Sequence, residues 1–161
     1  PDNNETIYYK SVETDMIFAG FLAFLDPPKE SVRQTITELN ELGIQVKILT
    51  GDNALLAQKI CRDIGLPITG VITGKEIAAM NDVELGQRAL EADIFARITP
   101  DQKERIIMVL KKSGKSVGFL GDGVNDAPAL KAADVGISVN NAVDIAKDTA
   151  DLPLLRVIEN K

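Results

Sequence analysis

Short apolar runs alternate with amphipathic helical segments along most of the chain, and this alternation restricts the fold more than any other feature. Strands are predicted at 17–25, 44–49, 68–72, 94–96, 116–120, 135–139 and 152–155. Helical patterns separate them, including two short segments through Ala78 and Leu90 and others around 128–133 and 143–150. Strands that alternate with helices form a mostly parallel sheet covered on both faces. The sequence therefore predicts an α/β fold of three layers.

Two helices have clear boundaries in the sequence. Asp26 of "DPPKES" can cap a helix whose first turn tolerates two prolines, and Gly43 would end it. Thr99 is the predicted N-cap of a second helix, with Pro100 at its first position and Gly114 at its end. Both patterns combine a capping residue, an early proline and a terminal glycine, which is typical of helices that lie between strands.

The helix that follows "TGDN" carries the apolar residues Leu55, Leu56, Ile60 and Ile64, and Gly65 would end it. Cys61, the single cysteine, lies in the same helix. One cysteine allows neither a disulfide framework nor a thiolate metal cluster. We expect a buried thiol without a chemical role, in a reducing compartment.

Composition excludes several classes of function. The net charge is −6, and no cluster of Lys and Arg mixed with aromatic residues is present, so nucleic acid is not an expected partner. The absence of histidine excludes Ser-His-Asp catalysis and imidazole-bound zinc within this chain. The most apolar stretch, "MIFAGFLAFL", is about half as long as the ~20 residues of a membrane-spanning helix, so this segment is not expected to insert into a membrane.

The length of 161 residues and the 45% share of hydrophobic residues suit one compact domain. We expect a single domain over 1–161 with its core at about 17–155. The polar ends, 1–14 and 156–161, are expected to be frayed.

Ligands of parallel α/β sheets bind beyond the carboxyl ends of the strands, which directs attention to the loops there. In "LTGDN" the Thr50 hydroxyl, the Gly51 amide and the following helix N-terminus could bind a phosphoryl oxygen. Alternatively, Thr50 and Asp52 only cap that helix. Lys103 lies near the start of its helix, where the helix dipole disfavours a cation, although an ordinary solvated lysine is the simpler interpretation.

The third loop, "GFLGDGVNDAPAL", contains Asp122 and Asp126. Mg²⁺ prefers oxygen ligands, commonly one or two carboxylates together with phosphate and water. Asn125 could hold a carboxylate or a water in place. Asp126 could instead cap the next helix, which would leave one metal ligand. The three loops together predict a phosphoryl-transfer site that uses Mg²⁺ and lysine but has no nucleophile.

Four ordered motifs, "DPPKE", "ILTGDN", "TPDQKERI" and "GDGVNDAPALKAADVGIS", resemble the phosphorylation domain of P-type ATPases, a branch of the haloacid dehalogenase-like superfamily. The resemblance covers about 17–155. "FLAFLDPPKES" and "GISVNNAVDIAKDTADLPLL" are most similar to the bacterial magnesium-transporting group. The resemblance implies a Rossmann-like haloacid dehalogenase-type fold.

The resemblance also assigns roles to single residues. Thr50 and Gly51 would contact phosphate, with Asp52 in the same loop on the nucleotide side, and Lys103 would lie beside the aspartyl phosphate. Asp122 would bind Mg²⁺, while Asn125 and Asp126 would complete the surroundings of phosphate and metal. Asp26 and Lys29 match the hinge to a nucleotide-binding domain.

The family's nucleophile is the aspartate of an Asp-Lys-Thr-Gly-Thr stretch, which this chain lacks. The sequence is therefore expected to be the C-terminal portion of a phosphorylation domain without the strand that carries the nucleophile. The parent would be a pump of the bacterial plasma membrane that hydrolyses ATP through an aspartyl phosphate to transport Mg²⁺. Mg²⁺ and ATP would be its cofactors. The partners implied for this cytoplasmic segment are the nucleotide-binding, actuator and transmembrane domains of the same polypeptide, and the segment alone is expected to be inactive.

Two alternatives remain at this point. The chain could be a stand-alone, non-catalytic Mg²⁺ and phosphate-binding regulatory module of the same superfamily. It could also be a complete phosphatase with an unrecognised nucleophile such as Asp15, although that residue precedes a predicted strand instead of following it.

Overall fold

The computed structural model describes residues 16–22, 28–29, 31–139 and 144–154. The helices are α1 Ser31–Glu41, α2 Ala54–Ile64, α3 Gly74–Ala79, α4 Asp82–Glu91, α5 Pro100–Lys112, α6 Ala127–Ala132 and α7 Asp144–Thr149. The strands are β1 Ile48–Leu49, β2 Val71–Thr73, β3 Ile94–Ala96, β4 Gly118–Gly121, β5 Val135–Val139 and β6 Leu152–Leu154. A 3₁₀ turn, Val124–Asp126, precedes α6.

The described strands form two parallel sheets of three strands each, ordered β1-β3-β2 and β4-β5-β6. In the first sheet Ile94 of β3 is in register with Ile48 on one side and Val71 on the other. In the second, Ile137 of β5 lies between Leu120 and Leu152. Parallel pairing throughout these strands confirms the predicted α/β class.

Strand β3 is buried on both faces and shows why the fold has layers. The side chain of Phe95 packs with α4 and α5, in a cluster that includes Leu85, Ile106 and Val109. Its neighbours Ile94 and Ala96 pack on the other side with residues of α1 and α2, including Ile36 and Cys61. Successive strand side chains point to opposite faces, so this division places helices on both sides of the first sheet, as predicted.

Helix boundaries follow the capping chemistry. Thr99 caps α5, and its side chain and that of Gln102 form a reciprocal capping box, which confirms the predicted start of this helix. Gly114 follows the end of α5 with a positive φ of 80°. Gly65 ends α2 in the left-handed conformation, with a φ of 75°. Glycine is favoured at both positions because a side chain would be strained there.

Some predicted boundaries were wrong. Residues 16–22 form no strand, and Ile17 and Phe21 are 90% and 91% exposed; the rest of that predicted strand, 23–25, lies outside the described residues. Residues 16–22 pair with none of the described strands, and without such pairing an apolar run is not a strand. β1 covers only the last two residues of the predicted 44–49 because its pairing with β3 begins at Ile94. α1 begins at Ser31, after the two prolines.

The buried face of α2 carries only part of the apolar pattern in its sequence. Ala57, Cys61 and Ile64 are buried, whereas Leu55, Leu56 and Ile60 are exposed. Close contact with β3 favours small side chains on the face that meets the sheet. Burial raises the pKa of the Cys61 thiol, in keeping with the expectation of an unreactive cysteine.

No helix in the described part of the chain is both long enough and apolar enough to cross a membrane. The predicted frayed ends, 1–14 and 156–161, lie outside the described residues.

Candidate functional site

Polar residues follow β1 and β4 at the same relative position, directly after the carboxyl end of each strand. Thr50 follows β1 and Asp122 follows β4. The α5 helix, which follows β3 after a short turn, carries Lys103 in its first turn. The carboxyl ends of parallel strands lie together at one end of a sheet, which we call the carboxyl edge. This end is the usual ligand site of α/β folds.

Lys103 and Asp126 form an ion pair at this edge. The Lys103 Nζ lies 2.6 Å from the Asp126 Oδ1, and the two side chains are only 16% and 11% exposed. A cation near the start of a helix opposes the helix dipole, so the neighbouring carboxylate compensates for an unfavourable position. Lys103 is therefore not a solvated surface lysine.

The other carboxylate oxygen of Asp126 holds the loop after β4. Asp126 Oδ2 accepts hydrogen bonds from the backbone amides of Asp122, at 3.3 Å, and Gly123, at 3.2 Å. The carboxylate fits there because Gly121 has no side chain: a Cβ at that position would lie 2.7 Å from the Asp126 Cβ. Asp126 occupies the N-cap position of α6, as one interpretation of the sequence expected, but its side chain makes no hydrogen bond to that helix.

A cavity of about 310 Å³ brings Lys103, Asp122 and Asp126 together, whereas Thr50, Gly51 and Asp52 do not line it. Its lining residues are Leu49, Lys103, Phe119, Leu120, Gly121, Asp122, Asp126 and Val139. They come from β1, α5, β4, β5 and the loop after β4. The cavity thus has an apolar floor between the two sheets and charged groups at the carboxyl edge.

The Thr50 loop lies at the end of β1 and is closed by its own hydroxyl. The Thr50 Oγ1 accepts a hydrogen bond from the amide of Asp52 at 3.1 Å. The cap of α2 is Asn53, whose side chain accepts from the Leu56 amide. The interpretation of Thr50 and Asp52 as helix caps was therefore wrong. Gly51 and Asp52 are exposed, as a ligand-binding loop requires.

The remaining predicted residues are placed differently. Asn125 is exposed and does not line the cavity. Lys29 is exposed, and its carbonyl accepts a hydrogen bond from the Val32 amide at the start of α1. Asp26 lies outside the described residues.

The residues at the carboxyl edge fit Mg²⁺ as an ion shared with a phosphoryl group. Asp122 is exposed at the cavity, whereas one oxygen of Asp126 is bonded to Lys103. In the described ranges no group of three or more Asp, Glu, Cys or His residues could hold a metal by itself. Mg²⁺ sites in phosphoryl-transfer proteins commonly use one or two carboxylates and take their other ligands from phosphate and water. The exposed Asp122 carboxylate, with phosphate and water as the other ligands, would be such a donor set.

A larger cavity, about 510 Å³, lies at the opposite edge of the first sheet, next to Thr69, Gly70 and Ala92. Asp93 closes this end of the sheet: its Oδ2 accepts hydrogen bonds from the Thr69 amide, the Thr69 hydroxyl and the Gly70 amide. Burial raises the pKa of Asp93, but these hydrogen bonds and the nearby Lys47 outweigh it and leave the pKa lowered. Because these hydrogen bonds hold the end of the sheet together, we assign Asp93 a structural role. We place the site at the smaller cavity, at the carboxyl ends of the strands, where ligands of parallel sheets bind.

The turn after β3 was not predicted from the sequence. Within the described ranges Arg97 is the one non-glycine residue with a positive φ, 53°. Its amide donates to the carbonyl of Asp52 at 2.9 Å, and the Ile98 amide donates to the carbonyl of Thr50 at 3.2 Å. No pattern in "FARITP" indicates a left-handed arginine, because glycine, asparagine and aspartate are the usual residues in that conformation.

Comparison with known proteins identifies the family of the chain. The haloacid dehalogenase-like hydrolase family matches residues 2–134. A P-type 1 magnesium-transporting ATPase of Escherichia coli K12 is 51% identical over 148 residues, which are 92% of this chain and 16% of that protein. A calcium-transporting ATPase of Listeria monocytogenes is 42% identical over 144 residues, 88% of this chain and 16% of that protein. The chain thus spans about a sixth of the length of these relatives.

Solved structures show the same relationship. A zinc-transporting PIB-type ATPase is 30% identical, with a TM-score of 0.60 over 80% of this chain and 17% of that one. The catalytic domain of a CPx-ATPase is 28% identical, with a TM-score of 0.58 over 78% of this chain and 40% of that one. The resemblance inferred from the four motifs is confirmed. The chain belongs to the haloacid dehalogenase-like hydrolase family and is homologous to P-type ATPases.

Proposed function

We propose that the chain is the part of a P-type ATPase phosphorylation domain that surrounds the phosphoryl group, and that its parent couples ATP hydrolysis to cation transport across a membrane. The observation that carries the proposal is the cavity at the carboxyl edge, where the Lys103–Asp126 pair and Asp122 meet. The relatives that match nearly the whole chain are cation-transporting ATPases about six times its length.

Each side chain at this cavity would serve phosphoryl transfer in a distinct way. The Lys103 ammonium, held 2.6 Å from Asp126, would neutralise charge on the phosphoryl oxygens. The Asp122 carboxylate would hold Mg²⁺, which would offset the charge of the phosphate oxygens. Amides of the Thr50–Asp52 loop, at the end of β1, would bind a phosphoryl oxygen.

The nucleophile would come from a strand elsewhere in the parent polypeptide. Within the described residues β1 and β4 each pair with a neighbouring strand on one side only. Residues of both strands line the same cavity. Two unpaired parallel edges offer backbone donors and acceptors to a strand placed between them. An aspartate just beyond the end of that strand would lie at the carboxyl edge, among Thr50, Lys103 and Asp122.

Mg²⁺ is the transported cation that the comparisons favour. The magnesium-transporting relative is 51% identical and the calcium-transporting relative 42%. Both identities are measured over a segment that we propose to bind phosphate, not over the residues that would bind the transported cation. The preference for Mg²⁺ therefore rests on sequence relatedness.

Phosphorylation by γ-labelled ATP tests the proposal. The full-length parent should form an acid-stable phosphoprotein that requires Mg²⁺ and is cleaved by hydroxylamine, as an acyl phosphate is. The 161-residue chain alone should form none. A K103M substitution in the parent should slow phosphorylation by at least ~100-fold, since a charge-stabilising group is lost, whereas K59M, on the exposed surface of α2, should not. Labelling of the isolated chain would contradict its predicted inactivity, and a parent that is never labelled would refute the proposed chemistry.

A further inference from the structure

The turn after β3 contains a backbone conformation that is unfavourable for its residue. Arg97 has a φ of 53°, which L-residues with long side chains rarely adopt. Such conformations persist only where the surrounding structure fixes them, and they cluster at functional sites. Arg97 lies one residue beyond β3, at the same edge as the phosphate site.

Gly74 leaves room for this turn. It is buried at the start of α3, directly after β2, and a Cβ on it would overlap the carbonyl oxygen of Arg97. The same Cβ would lie 2.7 Å from the Gln102 Oε1. Only glycine allows both groups to approach this closely.

The turn joins the two segments that carry the proposed phosphate contacts. On one side, the Arg97 amide donates to the Asp52 carbonyl at 2.9 Å. On the other, the Gln102 side chain, next to Lys103 in sequence, donates through Nε2 to the Gly74 carbonyl at 2.8 Å. Its Oε1 accepts from the Thr99 amide at 3.1 Å. The Thr50–Asp52 loop and the first turn of α5 are thus bonded to the same few backbone groups.

We propose that Gly74 and Arg97 are positioning residues, which set the Thr50–Asp52 loop relative to Lys103 without touching the substrate. The left-handed turn directs the amide of residue 97 at the Asp52 carbonyl, and the missing side chain at residue 74 leaves room for that turn. The side chain of Arg97 is not required by this role. The consequence for catalysis rests on the proposed function, whereas the backbone arrangement does not.

Amide hydrogen exchange on the 161-residue chain tests the backbone arrangement. The amide of residue 97 should be protected in the wild type. G74A should reduce that protection at least tenfold, because the Arg97 carbonyl must move away from the new Cβ. R97G should keep the protection, since glycine adopts a positive φ without strain. G118A is the matched control: a Cβ there meets its nearest neighbour, the Val135 carbonyl, at 3.8 Å, and residue 97 should be unaffected.

The functional part is tested in the full-length parent at a temperature where every variant is folded. G74A and R97V should slow phosphorylation by ATP about tenfold or more, and G118A should not. A purely structural role would lower the melting temperature without changing that rate. Full protection of residue 97 in G74A, lost protection in R97G, or an unchanged rate in both G74A and R97V would overturn the inference. If the wild-type parent is not phosphorylated at all, the proposed function fails, while hydrogen exchange still decides on the backbone arrangement.

Discussion

The Lys103–Asp126 pair allows a quantitative test of how the site is held together. Asp126 has three partners: the Lys103 Nζ at 2.6 Å and the amides of Asp122 and Gly123. The substitutions K103M and D126N change charge with little change in size. Together with the double variant they form a thermodynamic cycle that isolates the interaction between the two side chains.

Burial determines the expected magnitude. Removing one partner of a fully buried pair costs about 3–5 kcal/mol, because the other charge is left without compensation. Here the side chains are 16% and 11% exposed, so water can reach the remaining charge in part. We expect each single substitution to lower the free energy of unfolding by about 2–3 kcal/mol, somewhat below the fully buried case. We expect a coupling energy of about 1.5–2 kcal/mol, within the usual range for residues in contact.

Urea unfolding of the 161-residue chain, followed by circular dichroism, gives the four free energies of the cycle. The matched control is the pair Lys59–Asp63 on α2, which is also joined by a short contact but is 56% and 41% exposed. The cycle of K59M and D63N should give a coupling of at most about 0.5 kcal/mol, because solvent screens exposed pairs. Equal couplings in the two cycles, or a coupling below about 0.5 kcal/mol for Lys103–Asp126, would refute the argument that burial makes this pair strong.

Three further predictions concern the scaffold. The pKa of Asp93 is lowered in the folded chain. Its contribution to stability is therefore present above the unfolded pKa of about 3.9 and is lost as the pH falls through the folded value. Urea unfolding between pH 6 and 3 should show a steeper loss of stability with acid for the wild type than for D93N. T99A should lower the free energy of unfolding by about 1 kcal/mol through loss of the cap of α5, and an unchanged urea midpoint would contradict this. G136A places a Cβ 2.8 Å from the Leu130 carbonyl and should cost about 1–3 kcal/mol. In the same assay G118A, with ordinary contacts, should change stability by less than about 1 kcal/mol, and equal effects would show that the close approach is unimportant.

Several features of the fold were predictable because they depend on local patterns. The strands at 94–96 and 135–139 and the start of α5 at Pro100 agree with the prediction. Each is determined by residues close together in the chain, namely short apolar runs and the Thr99 cap. The strand predicted at 17–25 was wrong for 17–22, although the segment is strongly apolar. A strand needs a partner as well as a pattern, and this segment pairs with none of the described strands.

The site was predictable in its components but not in its connections. The sequence placed Thr50, Lys103 and Asp122 after parallel strands, and in the structure Lys103 and Asp122 line one cavity. It left open whether Asp126 caps a helix. The structure places Asp126 at the N-cap position of α6, but its carboxylate turns back onto its own loop and reaches Lys103, where Gly121 leaves room for it.

The sequence by itself determined the family, the alternation of strands and helices, and the residue types available for phosphate and Mg²⁺. These properties depend on side-chain identity and on short-range spacing. Tertiary structure alone decided the buried Lys103–Asp126 pair, the exposure of Leu55 and Ile60 on α2, and the left-handed turn at Arg97 against Gly74. Gly74 and Arg97 are 23 positions apart in the chain. Contacts of this kind depend on how the strands align, because a backbone amide or carbonyl finds its partner only after the sheet has fixed the distance between their segments.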